Sequence, residues 1–151
     1  MAGWNRFALE EPQLAESGRR LLSGTDDSPI AFIATHSPGG TPHLAPVCPI
    51  FCGEDLYLST GSATPKCNDL KEDGRFVLHA FLGDQDEEFQ VAGNAVHVAE
   101  TGEIVRVQTA IKFTFRESDP IFRLDLSRAL WVYWENVGKP DTLAVRKHWH
   151  V

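Results

Sequence analysis

Residues 56–81 read LYLSTGSATPKCNDLKEDGRFVLHAF. Leu56-Tyr57-Leu58-Ser59-Thr60 is aromatic and apolar with a polar exit, the composition of a strand. Thr64-Pro65 then offers a capping hydroxyl followed by proline at the first helical position, where its missing N–H leaves nothing unsatisfied, so a helix is expected to begin at Pro65. Asp73-Gly74 ends it early, and Arg75-Phe76-Val77-Leu78-His79-Ala80-Phe81 resumes as strand. At the helix start the stretch gathers four hydroxyls, Ser59, Thr60, Ser62 and Thr64, and one ammonium, Lys66. Hydroxyl donors, helix amides and a point positive charge converging in this way make a phosphate cradle.

Toward the N-terminus, Ile30-Ala31-Phe32-Ile33-Ala34-Thr35 is short, apolar and β-branched, and Ser37-Pro38-Gly39-Gly40-Thr41 can supply the positive φ of a tight hairpin. His43 to Phe51 follows as its extended partner. Because proline cannot donate to a ladder, Pro46 and Pro49 put part of that strand at an edge or an interruption. Together with residues 56–60 these strands read as a three-stranded meander. Earlier still, Ser23 to Pro29 is dense in turn formers, and Leu14, Gly18, Leu21 and Leu22 stand at helical spacing within a helix expected over Glu10–Leu22.

Toward the C-terminus, Glu88 to Val98 reads as a strand with a bulge or bend at Gly93. Ile104, Val107, Ala110 and Ile111 predict a helix within Thr101–Thr114. Phe122 to Leu126 and Ala129 to Trp134 read as two strands separated by Ser127-Arg128, and Leu143 to Trp149 as the last. The expectation is one domain over residues 1–151, mainly β, an antiparallel barrel with a few helices.

Fourteen basic against twenty-one acidic residues give a formal charge of −7, which argues against a nucleic-acid partner and makes any phosphate binding a local affair. No apolar run approaches the roughly 20 residues of a membrane helix, and the first residues lack the pattern of a secretory signal, so no membrane and a cytoplasmic location are expected. Cys48, Cys52 and Cys67 are spaced unlike a zinc motif and read as reduced structural thiols. The six histidines form no i,i+4 pair, so no metal site is expected, and no Ser, His and Asp set carries a nucleophile-elbow pattern.

The order of elements and six short motifs resemble the pyridoxamine 5′-phosphate oxidase-like, FMN-binding split-barrel family. The motifs are Ala31–Thr35 with Gly40-Thr41-Pro42, Pro46–Ile50, Leu56-Tyr57-Leu58, Pro65–Leu70, Gly74–His79 and Val91–Ala95; the likeness is good over roughly residues 28 to 98. It implies an FMN-binding split barrel and a flavin-dependent oxidoreductase, in a homodimer that shares its two cofactor sites and acts on a small molecule. It implies further that His43, Leu44, Ala45, Pro46 and Val47 line the flavin ring. Ser59, Thr60, Ser62, Thr64 and Lys66 would hold the phosphate, and Trp149 would reach the flavin from the partner subunit. Pro65 stands beside the place where many relatives carry an arginine, and Arg75 is the nearest substitute. The family's vitamin-synthesising enzyme ends in an arginine-leucine-x-proline tail, whereas Lys147-His148-Trp149-His150-Val151 closes this chain, so pyridoxamine phosphate is not the expected substrate. No catalytic acid or base is named by the sequence. A flavin-storage protein and a haem-binding or deazaflavin-using member of the same fold are the alternatives. Phe51, Phe81, Phe89, Trp131 and Trp134 are the large apolar residues expected to serve core and interface.

Overall fold

In the computed structural model, residues 1–24 and 30–151 are described; most of the turn read at Ser23–Pro29 lies outside them. The elements are α1 (Trp4–Glu10), α2 (Pro12–Leu22), β1 (Ala31–His36), β2 (Pro42–Val47), β3 (Ile50–Cys52), β4 (Asp55–Ser59), α3 (Pro65–Glu72), β5 (Arg75–Ala80), β6 (Glu88–His97), α4 (Thr101–Ala110), β7 (Ile121–Glu135) and β8 (Leu143–His150). The strands form one antiparallel sheet in the order β2-β1-β5-β6-β7-β4-β3, with β8 also on β7. β7 holds it together: its first residues pair with β4, its last with β8, and β6 runs along both halves. The sheet curls into the split barrel that the sequence predicts.

Four local expectations change. The N-terminal helix is two helices, since Pro12 starts a new one and Trp4 and Phe7, three apart, bury a separate first turn. The extended run from His43 breaks at Pro49, and β3 pairs with β4 at the far end of the sheet, so the three-stranded meander does not form. Ser127-Arg128 is not a turn. The β6 and β7 registers slip between Ala92/Arg128 and Gly93/Leu126, so Ser127 is the residue left over, its hydroxyl donating to the Ala92 carbonyl at 3.1 Å. At this slip a Cβ on Gly93 would collide with the Asp125 carbonyl oxygen, which explains the glycine. Finally, α4 stops at Ala110 rather than running to Thr114.

One face of the sheet is covered. Ile33, Leu78, Phe89, Val91, Ala129 and Trp149 meet Trp4, Phe7, Leu14 and Leu22 of α1 and α2 there. A Cβ on Gly18 would run into the Phe89 ring, so α2 packs closely enough on β6 to require glycine. Among the described residues no helix covers the opposite face. Cross-strand partners share a face, and the register places Pro46, Phe32, His79, Gln90, Leu130 and His148 in one row across it, with Leu44, Ala34, Val77, Ala92, Arg128 and His150 in the next. Of the five aromatics expected at core and interface, Phe89 is fully buried and Phe51 packs on Trp4, whereas Phe81 and Trp134 are exposed.

Candidate functional site

β2 is the edge strand, opposite β1 and beside α3. Alternation along it turns His43, Ala45 and Val47 toward the helix side and Leu44 and Pro46 away. Thr35 and His43 are direct cross-strand partners, and both reach Asp69 of α3. The Asp69 Oδ2 atom accepts from the Thr35 hydroxyl at 2.6 Å and meets His43 Nδ1 at 2.6 Å. Only 4% of Asp69 is exposed. Burial pushes its carboxyl up, yet the bonds from Thr35 and His43 outweigh that and hold it below the ordinary carboxylate range. His36 ends β1 with Nε2 3.1 Å from Asp73 Oδ1, and the Arg75 guanidinium grips the same carboxylate, keeping Asp73 far down.

Between β2 and the first turn of α3 lies a cavity of about 310 Å³, lined by His43, Leu44, Ala45 and Lys66 with Thr35 and Pro65. Four residues assigned from sequence to two ends of a ligand thus meet in one hollow. Lys66 is half-buried and, among the described residues, its ammonium has no ion pair or hydrogen bond. Thr60, 2% exposed, leads into the same helix; its Oγ1 is buried with no partner among the described residues.

The other expected site residues lie apart from this cavity. The Thr64 hydroxyl caps α3, accepting from the Cys67 amide and donating to the Gly61 carbonyl at 2.8 Å. Ser62 is exposed in the turn before it, and Ser59 is half-buried at the end of β4. Val47 is in the core and Pro46 is on the open face. Trp149 is 6% exposed in the core of its own chain, its indole on Phe7 and its N–H donating to Glu10 Oε2 at 2.7 Å. Asp69 and Thr35 were not singled out in the sequence. Counting outward from a three-residue Pro38-Gly39-Gly40 loop pairs Thr35 with His43, and Asp69 stands three residues beyond Lys66 on α3.

No protein-family model matches the sequence, and no curated protein matches it. Solved structures do match. An FMN-binding protein from Syntrophomonas wolfei subsp. wolfei superposes with a TM-score of 0.62 at 19% identity, over 84% of this chain and 91% of that one. The fold is that of the FMN-binding split barrels. Another split barrel of this shape is PhzG from Burkholderia lata 383, solved with tetrahydrophenazine-1-carboxylic acid: TM-score 0.60, 11% identity, 94% of this chain and 91% of that one. A heme binding protein from Mycobacterium smegmatis matches over 79% of this chain and 53% of its own, with a TM-score of 0.55 at 16% identity. The split barrel therefore carries flavin or haem binding among its relatives in shape, and the choice rests on the chain's own residues.

Proposed function

We propose that the protein is a cytoplasmic flavoprotein that binds FMN at the β2–α3 cavity and works as a flavin-dependent oxidoreductase on a small molecule. The observation that carries this reading is the meeting of the Lys66 ammonium, which has no partner among the described residues, with His43, Leu44 and Ala45 around one hollow. At about 310 Å³ the hollow is at the small end of ligand pockets, roughly 300–1,000 Å³. It suits the phosphate end of a flavin, with the ring continuing along β2 past Ala45, Pro46 and Val47. Ala45 is small and Pro46 has no N–H, so a flat ring can approach the strand closely. Ser59, Thr60 and Ser62 stand on the approach to α3 outside the cavity lining, and the Thr64 hydroxyl is taken up in capping that helix.

FMN, when bound, supplies hydride or electron transfer. The chain's part is to hold and orient: Lys66 the phosphate, β2 the ring edge. Within its own chain Trp149 packs its ring on Phe7 and donates its N–H to Glu10.

The reading includes a homodimer. Phe32 and Phe81, their rings 4.8 Å apart, are 41% and 40% exposed on the side of the sheet that no helix covers, with Leu44 beside them at 70%. A two-fold partner laid on that face would bury them and approach the edge strand of the cavity. Haem is the second reading, motivated by the Mycobacterium smegmatis likeness. The absorption spectrum and mass of the chromophore in protein purified from its own cells decide between them. A flavin band and the mass of FMN are expected. A Soret band would replace FMN by haem, the mass of a deazaflavin would replace it by that coenzyme, and a colourless protein that takes up no added FMN would overturn the proposal. FMN held with no turnover of any donor would leave a storage protein.

A further inference from the structure

We propose that His43 is the second cation of the phosphate cradle, its ring bridging the buried Asp69 carboxylate on one side and the ligand's phosphate on the other. The inference rests on the flavin-phosphate reading above and names the group that completes it.

The chain carries a formal charge of −7, so a phosphate is held only where positive charge is gathered locally. Of the residues lining the β2–α3 cavity, Lys66 and His43 alone can carry positive charge. A phosphate monoester carries about −1.5 to −2 at pH 7, and one ammonium leaves roughly half of that unbalanced. His43 is set to supply the rest. Its Nδ1 is bound at 2.6 Å to Asp69, whose oxygen is held in place by the Thr35 hydroxyl. With Nδ1 engaged, Nε2 is the ring nitrogen left for a ligand, and a proton there makes it a donor to a phosphate oxygen.

The charged and titratable groups around the ring are Lys66 and Asp69 from α3 and His36 from β1. Beyond them Asp73 is held by Arg75 and His36. Asp69 stands behind the ring and Lys66 lines the same cavity, so a phosphate entering it meets the imidazole and the ammonium together.

The test compares FMN with riboflavin, which differ by the phosphate, at pH 6.5 and 8.5. The parent is expected to prefer FMN, and that preference to shrink severalfold at the higher pH. His43→Gln, which keeps a donor for Asp69, is expected to lose roughly tenfold of the preference at pH 6.5 and most of its pH dependence, with FMN affinity falling far more than riboflavin affinity. If His43→Gln keeps both while Lys66→Ala loses the preference, His43 is not in the cradle although the cavity still holds the phosphate. If Lys66→Ala keeps it too, the flavin-phosphate reading falls as well. A measurement on the parent needs no variant: in histidine-resolved NMR, added inorganic phosphate is expected to shift the His43 ring signals. Unchanged His43 signals through a phosphate titration overturn the proposal.

Discussion

Two helices dock on this sheet by the same device, a helix carboxylate bonded to strand side chains, and the outcomes differ. At α4, Glu103 accepts from the Tyr57 hydroxyl at 2.8 Å, and Arg123 ties Glu103 to Asp125. Tyr57 is fully buried among Ile50, Val98, Val107 and Ile121. Burial and the bond to Glu103 push its phenol up to about 12. The phenol faces protein, while Glu103 and Arg123 reach the surface, their side chains 19% and 36% exposed. At α3, Asp69 likewise anchors Thr35 and His43, but His43 also lines a cavity with Lys66, whose ammonium has no partner among the described residues. A polar network closed on all sides is a strut. One that stops a partner short is where a ligand belongs.

The contrast breaks first at Tyr57. Tyr57→Ala is expected to cost about 3–5 kcal/mol of stability, as loss of a large buried ring does, read from urea unfolding. FMN affinity of the folded fraction should not change, and a binding loss of that size would make the α4 junction part of the site. Lys66→Ala should do the reverse. Its FMN affinity is expected to fall at least tenfold, about 1.5–3 kcal/mol for one charged phosphate contact, with the unfolding midpoint unmoved. Equal FMN and riboflavin binding by parent and variant would remove the phosphate from Lys66.

Asp69→Asn lies between the two, with about 1 kcal/mol lost at neutral pH because the amide keeps an acceptor but not the charge. The sign of its pH dependence follows from the depressed carboxyl. The stabilisation is present above the ordinary aspartate value of 3.8 and drains away as pH falls through the lower folded value. Urea midpoints between pH 3 and 6 should therefore fall more steeply in the parent than in Asp69→Asn. The smallest effect is alkaline. Tyr57 holds its proton in the folded state and loses it more readily unfolded, so stability declines between about pH 10 and 12. Tyr57→Phe should flatten that decline, and an unchanged slope would mean that the hydroxyl is not buried as described.

What could be read in the sequence was local chemistry. Thr64-Pro65 marked the start of α3 because capping needs only neighbouring residues, and Gly93 marked the bulge because a strand has little other use for glycine. The two prolines of residues 43–51 announced an interruption, but not that β3 would pair across the barrel, since strand order depends on which apolar faces pack together. Ser127-Arg128 looked like a turn because polarity marks a bulge and a turn alike. Of the site, Lys66 and His43 were picked from separate motifs, whereas their meeting needed the β1–β2 register and the seating of α3. Asp69 was missed because a buried carboxylate on a short helix has no signature until its partners are placed. Trp149 is expected at the partner's flavin, and its packing on Phe7 depends on a first helix that no capping or proline signal announces.

The central claim is tested most directly by a crystal structure of the protein with FMN. The phosphate is expected within hydrogen-bond reach of Lys66 Nζ and His43 Nε2, in the hollow between β2 and the start of α3. A phosphate on the open sheet face instead, bound by Arg75 or Arg128 with Lys66 still facing solvent, would contradict it.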